Sequence, residues 1–155
     1  MRSLYDSDFY AWTQAQADAL RRRSANEFDW DNLLEEIADL GRREVNELRN
    51  RLCVLLTHLF KWDRQVSHRS ASWARTIREQ RRQVAKHLDE NPSLKATIEA
   101  VFEDAYASAI VEAIKETGLA ESVFRDARRL SWAEALSGQI DELDTDRASS
   151  RATKA

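Results

Sequence analysis

Apolar residues recur at steps of three and four along most of this chain, and nowhere do they alternate with polar ones over a strand's length. That pattern predicts an all-α fold. A first helix is expected from Asp6 to about Ser24, with Asp6 as its N-cap and Phe9, Trp12, Ala15, Ala19 and Leu20 as its buried stripe. A second follows an N-cap at Asp29, where Phe28 and Leu33 have the spacing of a hydrophobic staple. Its apolar positions run Leu33, Ile37, Leu40, Leu48, Leu52, Leu55, Leu59, Trp62 and Val66, a heptad-like stripe. Unbroken, such a helix would be about 54 Å long at 1.5 Å per residue. Gly41 is the expected place for a bend or break, because a mid-helix glycine costs about 1 kcal/mol relative to alanine.

Within that helix the segment 52–60 is apolar on nearly every face, so it is expected to be the central element, packed on at least two sides. A short polar turn around 67–70 makes the next helix, about Ser72 to Glu90, an antiparallel neighbour with Trp73, Ile77, Val84 and Leu88 turned inward. The sequence Asn91-Pro92-Ser93 separates it from a fourth helix carrying Leu94, Ile98, Val101, Phe102, Ala105, Tyr106, Ala109 and Ala113. Gly118 followed by Leu119 predicts a Schellman ending against Ile114. Residues 121–125 form a further possible turn of helix, and Ser131 with Glu134 has capping-box spacing for a short C-terminal one. The expectation is a bundle of four principal helices around a long central second helix, one domain over 1–140, with a disordered tail at 141–155.

Composition agrees. Three glycines and one proline in 155 residues are too few for a sandwich or barrel. No stretch approaches the ~20 apolar residues of a membrane span. Acids at Asp6 and Asp8 stand where a signal peptide would have its apolar run. Cys53 stands alone, which excludes an intrachain disulfide and the usual Cys-based zinc sites. A cytoplasmic protein is expected.

Four segments together carry a resemblance. They are Leu4-Tyr5-Asp6-x-Asp8-Phe9-Tyr10-x-Trp12; Asn32-Leu33-Leu34-Glu35-Glu36-Ile37 with Asp39-Leu40-Gly41; Leu55-Leu56-x-His58-Leu59-x-Lys61-Trp62; and Ser72-Trp73-x-x-Thr76-Ile77-x-x-Gln80-Arg81. In this order and spacing the chain resembles the bacterial domain of unknown function family 29 over about residues 4–140. The resemblance implies an all-helical cytoplasmic protein of bacterial origin. It implies no activity, and it carries over no catalytic residue.

The residues offer little chemistry of their own. A di-iron bundle needs Glu-x-x-His, yet Leu55, Gln65 and Val84 stand three residues before the histidines His58, His68 and His87. No cofactor or metal is expected. Glu35, Glu36, Asp39, Glu44 and Glu47 make an acidic first half of the second helix, which reads as a solvated face or as partners for arginines. His58 lies in the apolar segment, expected opposite Ile77 and Arg78, with Arg81 nearby. As a general base it would centre a pocket of His58, Lys61, Trp62, Trp73 and Arg81. The simpler reading is a half-buried histidine satisfied by one hydrogen bond, and a Trp62–Trp73 pair that is core.

Charge is unevenly spread. Residues 1–41 carry a net charge of -5, residues 42–87 carry +8 and residues 88–155 carry -6. Arg75, Arg78, Arg82 and Lys86 share one face of the third helix, which could meet nucleic acid or another acidic partner. Alternatively, the acidic first and fourth helices neutralise that hairpin within the fold. The leading expectation is a non-enzymatic helical interaction module, self-associating through exposed parts of the second helix; nucleic-acid binding comes next, and an enzyme centred on His58 last.

Overall fold

The computed structural model describes residues 1–140; they are 83% helical and contain no strand. The fold is an all-α helical bundle, as the periodicity predicts. The expected tail at 141–155 lies outside the described residues. The chain divides into two compact units, Met1–Glu44 and one beginning at Val45.

The first unit holds α1 (Leu4–Ser7), α2 (Phe9–Arg22), a 3-10 turn at Ala25–Glu27 and the start of α3 (Trp30–Arg64). The single first helix expected from Asp6 is thus interrupted. Ser3 caps α1 by accepting from the Asp6 amide at 3.2 Å, and its hydroxyl donates to the Asp6 carboxylate at 2.7 Å. Asp8, with φ -152° and ψ 85°, breaks the helix and starts α2 by accepting from the Ala11 amide at 2.9 Å. Asp8, not Asp6, is the cap of the longer helix.

The buried face of α2 also differs from the expected stripe. Trp12, Gln16 and Ala19 are buried, whereas Phe9, Ala15 and Leu20 are exposed. Hydrogen bonds chose this face. The Trp12 indole donates to the Asp29 carboxylate at 2.9 Å, and the Asp29 amide donates to the Gln16 side-chain oxygen at 2.8 Å. Both fasten α2 to the start of α3, so a polar residue at the i+4 position is drawn inside with the tryptophan. Asp29 also accepts from the Asn32 side chain, and these bonds hold its carboxyl below the usual carboxylate range.

The second unit contains α3 from Val45 onward, α4 (Ala71–Glu90), a 3-10 turn at Pro92–Thr97, α5 (Ile98–Thr117), α6 (Glu121–Arg125) and α7 (Trp132–Ser137). As an element, α3 is helical straight through Gly41, without the expected break. Leu48, Leu52, Leu55 and Leu56 are fully buried, together with Ile77 and Val84 of α4. Facing them from α5 are Val101, Phe102, Ala105, Ala109 and Ala113. Small alanines along one side of α5 let bulky leucines of α3 fill the space between helices. The segment 52–60 is central as expected, with Val54 its one exposed residue.

Three endings depart from expectation. Trp73 is only half-buried, its ring beneath the Lys61 ammonium at 4.7 Å from the centroid, and Ala74 beside it is buried. The α-helical part of the fourth helix starts at Ile98, since Pro92 opens a six-residue 3-10 turn first. At Gly118, φ is 69° and the amide donates to the Ile114 carbonyl, but the Leu119 amide goes to the Thr117 hydroxyl. That is the simple left-handed cap, not the Schellman pair. The Ser131–Glu134 capping box is present on α7.

Candidate functional site

The five pocket residues separate into different roles. His58 is half-buried, and its Nδ1 lies 2.8 Å from the Val54 carbonyl one turn back. Burial pushes the imidazole below its ordinary value of 6.5, and the Lys61 charge adds to this. Such a ring is neutral at physiological pH, with one nitrogen occupied by the backbone.

Lys61 is buried, and its ammonium reaches the half-exposed Glu116 carboxylate of α5 at 2.5 Å. Trp62 is buried and lies under the Arg69 guanidinium, 5.0 Å from its centroid, while Arg69 Nε donates to the Trp62 carbonyl at 2.9 Å. Arg81 serves another purpose. Its Nε donates to the Ala135 carbonyl at 2.8 Å and a terminal nitrogen lies 3.4 Å from the Glu134 carbonyl, so it caps the carbonyl end of α7.

Trp62 and Arg81 do share a cavity of about 430 Å³ floored by Leu59, Phe60, Tyr106 and Phe124; His58, Lys61 and Trp73 do not line it. Its rim charges are engaged: Arg64 lies 3.1 Å from Asp63 and Arg128 lies 2.8 Å from Glu134. Among the described residues, no three His, Cys, Asp or Glu side chains converge as metal ligands would. Cys53 is half-buried, and desolvation raises its thiol above the ordinary value.

On the basic face of α4, Arg82 donates two hydrogen bonds to Glu79 at 3.0 and 2.8 Å, holding that carboxyl down at about 2. Lys86 lies 3.7 Å from Glu90, one turn further on. Arg75 and Arg78 are exposed. Contacts from α3 to the acidic α5 are Lys61–Glu116 and Arg49–Asp104, the latter at 3.6 Å. Much of the hairpin's positive charge is therefore spent on carboxylates within a helical turn or on α5.

The most unusual surface lies in the first unit. Large apolar side chains remain exposed at Leu4, Phe9, Tyr10, Leu20, Trp30, Leu34, Ile37 and Leu40. On α3, Trp30 is 63%, Leu34 70%, Ile37 65% and Leu40 56% exposed. At 100° per residue these four fall within an arc of about 120°. The stripe seen in the sequence holds Ile37 and Leu40 but misses Trp30 and Leu34, whose side of the helix carries the seam further round. Inside this unit, the Tyr5 hydroxyl donates to Glu36 at 2.6 Å, which pushes its pKa up to about 12. Tyr5 also meets Phe9 and Trp12 edge-on at 5.7 and 4.9 Å between centroids.

Comparison with curated proteins and with solved structures finds no match to either. The family model described as "Domain of unknown function DUF29" matches residues 4–140, and the chain belongs to that family.

Proposed function

We propose that the protein is a non-enzymatic helical interaction module whose docking surface is the exposed apolar face of the first unit. One observation carries the reading. The second unit buries Leu48, Leu52, Leu55 and Leu56 completely, while residues 4–40 leave eight large apolar side chains in water. Contiguous exposed apolar surface on a small helical protein marks a place where another surface belongs. A half-buried, lone Cys53 suits a reducing compartment, and we place the module in the bacterial cytoplasm. No described helix is long and apolar enough to cross a membrane.

The basic face is the weaker candidate, because Arg82 and Lys86 already have carboxylates one turn away. His58 is weaker still, with one nitrogen on a backbone carbonyl and no place in the cavity. Affinity capture from the source cell at low and high salt separates these readings. Capture of protein that survives high salt and is lost in a Leu34→Glu, Ile37→Glu variant supports the apolar face. Salt-sensitive recovery of nucleic acid, abolished by Arg78→Ala with Arg82→Ala, contradicts it.

A further inference from the structure

We propose that the partner of this face is a second copy of the chain, the two α3 helices lying antiparallel about a two-fold axis at the Glu35–Glu36 junction. The proposal rests on the reading above and names its partner. Trp30, Leu34, Ile37 and Gly41 step by four, three and four, the spacing of a two-helix seam. Gly41 is the anomaly in that seam. A Cβ built there meets nothing within 4 Å, and its backbone is ordinary right-handed helix. Nothing among the described residues calls for a glycine there, although glycine weakens a helix relative to alanine.

An antiparallel second copy supplies the reason. Positions equally distant from the axis face each other, so Trp30 of one copy lies over Gly41 of the other and Leu34 meets Ile37. The largest side chain of the face thereby meets its only notch. Leu33 and Leu40 flank the seam on one side and widen the apolar contact. On the other side, Asp31 comes within reach of Arg42 of the second copy, and the symmetry makes that pair twice. Both groups are exposed in the single chain, where Arg42 pairs with Asp39 of its own helix, three residues back. A parallel arrangement would set Gly41 beside Gly41, leaving the notch empty, and would place Asp31 of one copy and Arg42 of the other on opposite sides of the seam.

Sedimentation velocity on the purified full chain over a concentration series tests this. The expected result is a concentration-dependent dimer. Gly41→Leu, which has room in the single chain and favours helix, should keep full helicity by circular dichroism yet raise the dimer dissociation constant about tenfold or more. Asp31→Arg and Arg42→Asp should each weaken the dimer, and the double reversal should restore it. A monomer at every concentration overturns the second copy as partner, while the apolar-face reading is judged separately by the capture experiment. A dimer that Gly41→Leu leaves untouched, or that the double reversal fails to restore, overturns the antiparallel pairing. If Leu34→Glu still dissolves that dimer, the apolar-face reading stands without it.

Discussion

The two units of this protein use the same raw material in opposite ways. Both are built from amphipathic helices, and α3 contributes to each with one continuous apolar periodicity. From Leu48 onward that face meets α4 and α5 residues and leaves Leu48, Leu52, Leu55 and Leu56 with no exposed surface. Before Gly41 the same kind of face stays largely in water, and the first unit closes instead around Trp12, Gln16 and Ala19. Its ties are specific and polar: Trp12 and Gln16 to Asp29, Tyr5 to Glu36. A periodic apolar stripe therefore says that a helix wants a neighbour, and not whether the neighbour belongs to the same chain.

Truncation of equivalent leucines should expose this contrast most strongly. Leu55→Ala should cost about 2–5 kcal/mol in chemical denaturation, the range for a fully buried leucine. Leu34→Ala, measured in dilute solution, should stay within about 0.5 kcal/mol. Similar losses at the two sites would erase the distinction. Next comes the buried Lys61 ammonium. Glu116→Gln should cost about 1 kcal/mol, less than a fully buried pair because Glu116 is half-exposed. A Lys61→Met, Glu116→Gln double variant should recover part of that loss.

A smaller effect is expected from His58. Its folded-state pKa is depressed, so well above 6.5 the ring is neutral in both states and contributes no pH dependence. As pH falls below 6.5 the unfolded chain takes up the proton first, and stability declines until the folded-state pKa is passed. Denaturation midpoints of wild type and His58→Gln should therefore diverge between neutral and mildly acidic pH, with wild type losing more. Parallel curves would mean that burial does not perturb this ring. The smallest effect belongs to the first unit. Ultraviolet titration should show a phenol titrating near 12 that Tyr5→Phe removes, with the stability it lends fading as pH climbs past 10.

Much of the fold was legible from spacing alone. Periodicity located all four principal helices, and Gly118 and the Ser131–Glu134 box marked two ends correctly in position. What escaped it depended on single polar contacts. Asp6 and Asp8 are equivalent caps on paper, and Ser3 decides between them by occupying Asp6. Gln16 is drawn into the interior by the Asp29 amide, which no hydrophobic scale registers. Arg81 caps α7 from 54 positions away, a partnership with no local signature, and it removes that arginine from the histidine-centred pocket. The acidic half of α3 and the basic half of the hairpin were visible as charge runs, but their pairing with one-turn neighbours had to be seen. The candidate docking face was the least legible element, because a heptad pattern reads alike whether it ends buried or bare.

Hydroxyl-radical footprinting of the full chain along a dilution series addresses that face directly. Trp30, Leu34 and Ile37 should be labelled readily in dilute solution and become protected as concentration rises. Val66 and Val111, exposed in the second unit, should label equally throughout. Protection of Trp30, Leu34 and Ile37 already at the lowest concentration would contradict the account, showing the face covered within a single chain. Labelling that never changes with concentration would contradict the second copy as its cover.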